Sequence, residues 1–167
     1  MKNYLILTLL ILSSNFTRAS DKINVVQAIH YSAPNLTYRN IAIGLGIYND
    51  GEKLPCTLLY KNENNIIKMT LIVGREYEEI ELKNELSSYE NPDNDETLSV
   101  NFDNQKNVFS YFFEFGNMTN QYTGSHGYQF SLEKISDKEF DVNYYHDWAD
   151  DDGMSGRKQY KCTLNSQ

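Results

Sequence analysis

Apolar and polar residues alternate with a period of two through most of this chain, the pattern of strands that bury one face and wet the other. Ile41, Ile43, Leu45 and Ile47 share one face of such a segment, and Ala42, Gly44, Gly46 and Tyr48 share the other. Two glycines on one face predict close approach of another backbone or a large side chain there. Cys56, Leu58 and Tyr60 alternate next, followed by Ile67, Met69, Leu71 and Val73. The segment 76–83 is more polar, with Ile80 and Leu82 inward, which fits an edge or a wetted face. Leu98, Val100 and Phe102 lead into a turn at 103–107. The returning strand, 108–115, sets Phe109, Tyr111, Phe113 and Phe115 in one row. An aromatic row of this kind predicts core.

Two further strands are predicted over 128–134 and 139–148. A last one, over 157–164, puts Lys158, Tyr160, Cys162 and Leu164 on one face. The Ile and Val content of 23–31 reads as an additional strand. Turn formers and acids make 84–96 a loop with room for one short helix at 84–91, and glycines at 116, 124 and 127 mark 116–127 as a second loop. The result is an all-β fold of about nine to ten short strands at the spacing of an antiparallel β-sandwich or β-barrel, in a single domain.

The start of the chain departs from this pattern. Lys2 precedes an apolar run over 4–12, and a polar stretch follows with Thr17 and Ala19 in the small positions before a cut. This reads as a cleavable signal peptide over 1–19, since the run is far shorter than the roughly 20 apolar residues of a membrane span. The mature domain is then 20–167, with no membrane span, secreted or periplasmic. Losing Lys2 and Arg18 with the leader takes the formal charge from −8 to −10. An acidic surface of that size repels nucleic acid and anionic lipid and favours a basic protein partner. The expected state is a monomer.

Two cysteines, Cys56 and Cys162, both stand on apolar-facing strand positions. In an oxidising compartment an even pair predicts one disulfide, closing a loop of about a hundred residues, a restraint of roughly 4–5 kcal/mol in the chain-entropy picture.

Candidate chemistry concentrates in 144–153. His146, Asp147, Trp148, Asp150, Asp151 and Asp152 gather the only tryptophan with four carboxylates at the end of one strand and in the loop after it. As a calcium loop the segment lacks its first carboxylate, because Trp148 stands there, and no glutamate follows at the required distance. No metal is therefore assigned. As an acidic tip with an aromatic anchor it suits the cationic groove of a basic protein, in the manner of an inhibitor or immunity protein. His146 and Asp147 are strand neighbours and face opposite ways, which removes a base–carboxylate pair. Zinc would require His30, His126 and His146 to converge. No nucleophile elbow or phosphate-cradling loop occurs, so neither catalysis nor a cofactor is predicted.

The six residues 155–160, Ser-Gly-Arg-Lys-Gln-Tyr, are similar to the Ser-Gly-x-Arg-Tyr motif of bacterial membrane-bound and periplasmic lysozyme inhibitors, with Arg157 directly after the glycine and Tyr160 one residue late. That resemblance implies a small exported β-barrel with a disulfide. Asn35 and Asn117 head Asn-x-Thr triplets, glycosylation acceptors in a eukaryotic source. The leading expectation is an exported, non-catalytic binding protein acting on a basic partner. The alternative is a lipocalin-like carrier of a small apolar ligand, with the aromatic faces of 109–115 and 128–132 lining its cavity.

Overall fold

The computed structural model describes residues 21–49, 51–91, 95–119, 122–150 and 153–166. The segment read as a signal peptide lies outside them, as do Asp151 and Asp152 of the acidic segment.

Antiparallel hairpins build nearly everything. One meander runs through β2 (Ile41–Tyr48), β3 (Lys53–Glu63), β4 (Ile66–Val73) and β5 (Glu76–Lys83). A second runs through β7 (Tyr89–Asn91), β8 (Glu96–Asp103), β9 (Val108–Thr119), β10 (Tyr122–Lys134), β11 (Glu139–Asp150) and β12 (Ser155–Ser166). The pairing of β12 with β2 joins them into one ten-stranded sheet of order β5-β4-β3-β2-β12-β11-β10-β9-β8-β7. Turn chemistry sets the joints. Asn64 and Asn65 both take positive φ between β3 and β4, the two-residue geometry that suits the right-handed twist of a hairpin.

The sandwich-or-barrel alternative thus resolves into a single sheet curled on itself. Glu78 of β5 meets β11 and β12 across the interior: the Tyr144 hydroxyl donates to its Oε2 at 3.0 Å and Lys158 Nζ to its Oε1 at 3.1 Å. The buried face is continuous through Leu58, Met69, Leu71, Phe109, Phe130 and Leu164. Cys56 of β3 and Cys162 of β12 are bonded as predicted and fully buried. The bridge passes over β2 at Gly46, where a Cβ would stand 2.2 and 2.5 Å from the two sulfurs. This is the close approach that the glycines announced.

Three local expectations are corrected. The segment 23–31 is not a strand beyond Ile23–Asn24 (β1), which pairs with Glu85–Leu86 (β6). Val25–Ser32 forms helix α1, because Asn24 caps it by accepting from the Gln27 N–H at 2.9 Å. Its buried positions Val25, Ala28, Ile29 and Ser32 recur at helical spacing, and that period outweighed the β-branched content. A one-turn helix α2 (Leu36–Arg39) follows. In 84–91 the short elements are β6 and β7, not a helix.

The third correction concerns 116–127, where strands β9 and β10 continue through much of what the glycines suggested was loop. Those glycines make room for neighbours instead. A Cβ at Gly116 would stand 2.6 Å from the Asp95 carboxylate, and one at Gly127 would stand 2.5 Å from Asp147 Oδ1. Helix α1 packs on β9 and β10, and Tyr31 stacks on Phe102 at 6.1 Å. It therefore covers one end of the curled sheet. The extended ends of β9–β12 form the other.

Candidate functional site

Antiparallel register decides which side chains meet at that second end. Phe115, His126 and Trp148 are cross-strand partners in one row, and Phe113, Tyr128, His146 and Lys158 are partners in the next. Both rows have the parity of Phe130, Tyr144 and Tyr160, which are buried, so they continue the interior face outward. All seven are half-buried. They form a mouth lined by aromatic rings, continuous through Phe113 and Tyr128 with a small depression below.

The rings stack closely. Tyr128 and His146 lie 4.1 Å apart at 15°, and Phe115 and His126 lie 5.3 Å apart at 14°. His146 also packs against Trp148 at 5.1 Å. Gly156 makes this possible, since a Cβ there would stand 1.9 Å from the Trp148 ring. His126 Nδ1 and His146 Nε2 are 3.3 Å apart, with ring centroids 5.6 Å apart. The centroid separation is close to the nitrogen separation plus a ring radius at each end, so the nitrogens point head-on. One ring donates an N–H to the other, and both cannot be fully protonated in that geometry. Burial, and then the neighbouring His126, hold the His146 pKa below that of an ordinary imidazole.

Carboxylates occupy the floor and rim. Glu78 is the floor, its side chain 14% exposed and bonded to Tyr144 and Lys158. Burial and then Glu78 raise the Tyr144 and Tyr160 hydroxyl pKa values far above the ordinary phenol range, so both stay protonated. Glu76 stands 3.8 Å from Lys158. Glu96, opposite Phe115, and Asp150, opposite Gly124, share the interior parity at the rim. Four carboxylates against one lysine leave the mouth acidic.

The predicted candidates divide by strand parity. His146, Trp148 and Asp150 join the mouth, whereas Asp147 is exposed on the outer face above Gly127. His146 and Asp147 do face opposite ways. Trp148 is not a freely exposed tip but a half-buried wall. The hairpin beyond it is drawn together by Asp150 N–H donating to the Met154 carbonyl at 2.8 Å. Of the three histidines, His126 and His146 meet, and His30 lies near α2, bonded to Thr37 at 3.4 Å. Among the described residues no group of three or more His, Cys, Asp or Glu side chains is placed to hold a metal ion.

Glu78 was missed in the sequence because 76–83 reads as a wetted strand. The signal was there: Glu78 shares the parity of Ile80 and Leu82. In the six residues that resemble the inhibitor motif, Lys158 and Tyr160 face the interior, while Arg157 lies outside over the Tyr145 ring at 5.7 Å.

A depression of about 110 Å3 continues beneath the mouth, lined by the rings of Tyr111, Phe113 and Tyr128 and also by Glu79, Glu81 and Gln129. A wider depression, about 980 Å3, lies beside α1. It is an open groove in which Lys22 pairs with Glu85 and Asn84 Nδ2 donates to Asn65, while the buried Asn84 Oδ1 has no hydrogen-bond partner among the described residues; the mouth, where stacked rings meet Glu78 and Lys158, is the better-built site. Comparison of the chain with protein-family models, with curated proteins and with solved structures returns no match.

Proposed function

We propose that the protein is an exported, non-catalytic binding protein whose acidic aromatic mouth receives a cationic group from a basic protein partner. The observation that carries this reading is the pairing of ring faces with carboxylates. Phe115, Tyr128 and Trp148 offer electron-rich faces, and Glu96 and Asp150 at the rim and Glu78 deeper in share their interior parity and offer negative charge. A lysine or arginine side chain satisfies both, through cation–π attraction and a charge-assisted hydrogen bond. The depressed pKa of His146 keeps that ring uncharged at neutral pH, so it does not repel the entering cation. The overall charge of −8 would speed encounter with a basic partner.

Trp148 is the only tryptophan and reports on the mouth directly. Titration with an oligo-arginine peptide is expected to shift its emission saturably, with the shift lost in high salt and weakened about tenfold in Glu96→Gln. An unchanged emission would refute the cationic reading. A small-ligand carrier is the second reading, with Phe113, Tyr128 and Phe130 beside a depression that, at about 110 Å3, is smaller than the roughly 300 Å3 such sites usually need. That reading predicts a Trp148 response to an apolar dye and none to the peptide.

A further inference from the structure

The outer face of β2 carries Ile41, Ile43, Leu45 and Ile47, exposed by 37%, 39%, 60% and 38%. Four aliphatic side chains in succession stand outward because the inward side is crowded, by the disulfide sulfurs against Gly46 and by the Thr163 backbone against Gly44, and admits a large ring only at Tyr48 at the strand's end. The neighbouring strands extend the patch. Ile43 aligns with Thr57, which aligns with Ile72 and then with Tyr77; Leu45 aligns with Pro55 on one side and Thr163 on the other. Charge returns only at the margins. Lys53 and Lys161 flank Ile47 at one end, and Glu79 lies across Thr70 from the Ile41–Leu59 end.

We infer that this face is the interface between two copies of the chain, in place of the monomer expected from the sequence. Three observations select a second copy over other occupants. The patch is aliphatic, with no arginine or tryptophan anchor, which is the composition of a core cut in half and thus of homodimer interfaces. The chain is strongly acidic, and this is a face on which two copies can approach without opposing carboxylates. The margins are also self-complementary. A twofold axis that sets β2 antiparallel to its mate brings the Ile47 end over the partner's Ile41 end, and so places Lys53 over the end that carries the partner's Glu79, two strands to the side and within reach of the two long side chains.

Size agrees. Five strands at about 4.8 Å and eight residues at about 3.3 Å span a plane of roughly 600 Å2. Corrugation by side chains carries that toward the ~800 Å2 per partner of a stable interface. Two such sheet faces would pack about 10 Å apart, as in a β-sandwich.

Sedimentation velocity on the mature protein across a wide concentration range tests the inference. The wild type is expected to dimerise, and Leu45→Lys to weaken association ~100-fold or more. Leu45 is more than half exposed, so the variant should keep the wild-type circular dichroism, and its melting temperature should match that of the wild type diluted to monomer. Tyr38→Lys, on the α2 surface, should leave dimerisation unchanged. Glu79→Lys should weaken it and Lys53→Glu in the same chain should restore it, a rescue that a purely structural role would not give. A wild type monomeric at every concentration overturns the proposal, as does a Leu45→Lys protein that still dimerises. A monomer that floats with phosphatidylcholine vesicles, and loses that property in Leu45→Lys, overturns it too by assigning the face to a bilayer.

Discussion

Strand β2 and strands β9–β11 read the same alternation in opposite senses. In β9–β11 the large residues face inward and the polar ones outward: Phe130 and Leu132 are buried while Gln129 and Glu133 meet solvent. In β2 the small residues face inward and the aliphatic ones outward. Period-two patterning defines two faces, but it does not by itself say which is the interior. That choice belongs to whatever stands across from the strand. For β10 it is α1 and β5, which leave space for rings. For the centre of β2 it is two sulfurs at Gly46 and the Thr163 backbone at Gly44, which leave space for a hydrogen atom. The first arrangement produces an aromatic mouth, and the second an apolar outer wall.

The largest perturbation of this comparison is removal of the bridge. Cys56–Cys162 joins β3 to β12 across β2 over a sequence separation of 106, and so ties the two meanders together. Replacing both cysteines by alanine is expected to lower stability by about 4 kcal/mol, read as a fall in the urea midpoint at unchanged slope. A much smaller loss would mean that the β12–β2 ladder alone holds the meanders together.

The next effect separates the faces of β2 directly. Gly46→Ala drives a Cβ into both sulfurs and within 2.8 Å of the Lys161 carbonyl, so it should cost about 2–3 kcal/mol. Leu45→Thr, one residue away and outward, should cost under about 0.5 kcal/mol in the isolated subunit. In the Cys-free background the Gly46→Ala cost should shrink, because both sulfurs are gone. A double-mutant cycle by urea denaturation measures that coupling. Equal costs at positions 45 and 46 would show that the inverted assignment is wrong.

Much of this was legible in the residues. The alternation located the inward face of β4 and the bounds of β5, and the glycine face of β2 announced the close approach that the disulfide supplies at Gly46 and the Thr163 backbone at Gly44. Parity alone separated His146 from Asp147. Illegible were features that depend on partners distant in sequence. Helix α1 is the exception, because its Asn24 cap and its buried period are local and were masked by the Ile/Val content, whereas the β9–β10–β11 ladder kept Gly116 and Gly127 inside strands. The mouth was hidden for the same reason. His126 and Phe115 fall in or beside what reads as a glycine-rich loop, and only the β9–β10–β11 register sets them beside Trp148.

The smallest expected effect marks the mouth as the half of the molecule that responds to acid. In the folded chain the His146 pKa is lowered from 6.5, by burial first and by His126 second; Lys158 acts in the same sense, and Glu78 and Asp147 oppose it. The unfolded chain therefore takes up a proton near pH 6.5 that the folded chain accepts only at lower pH. The contribution of His146 is complete above about pH 6.5 and is lost as pH falls through its folded value. Solvent reaches much of the ring, so the loss should stay below ~1 kcal/mol. Urea midpoints measured from neutral to mildly acidic pH should decline in the wild type and decline less in His146→Gln. Trp148, 5.1 Å from the His146 ring, should change its emission over the same window. The β2 stripe of Ile41, Ile43, Leu45 and Ile47 contains no titratable group, so Leu45→Thr should keep the wild-type acid profile. A profile flattened by Leu45→Thr and untouched by His146→Gln would place the proton elsewhere and break the division of labour between the two halves.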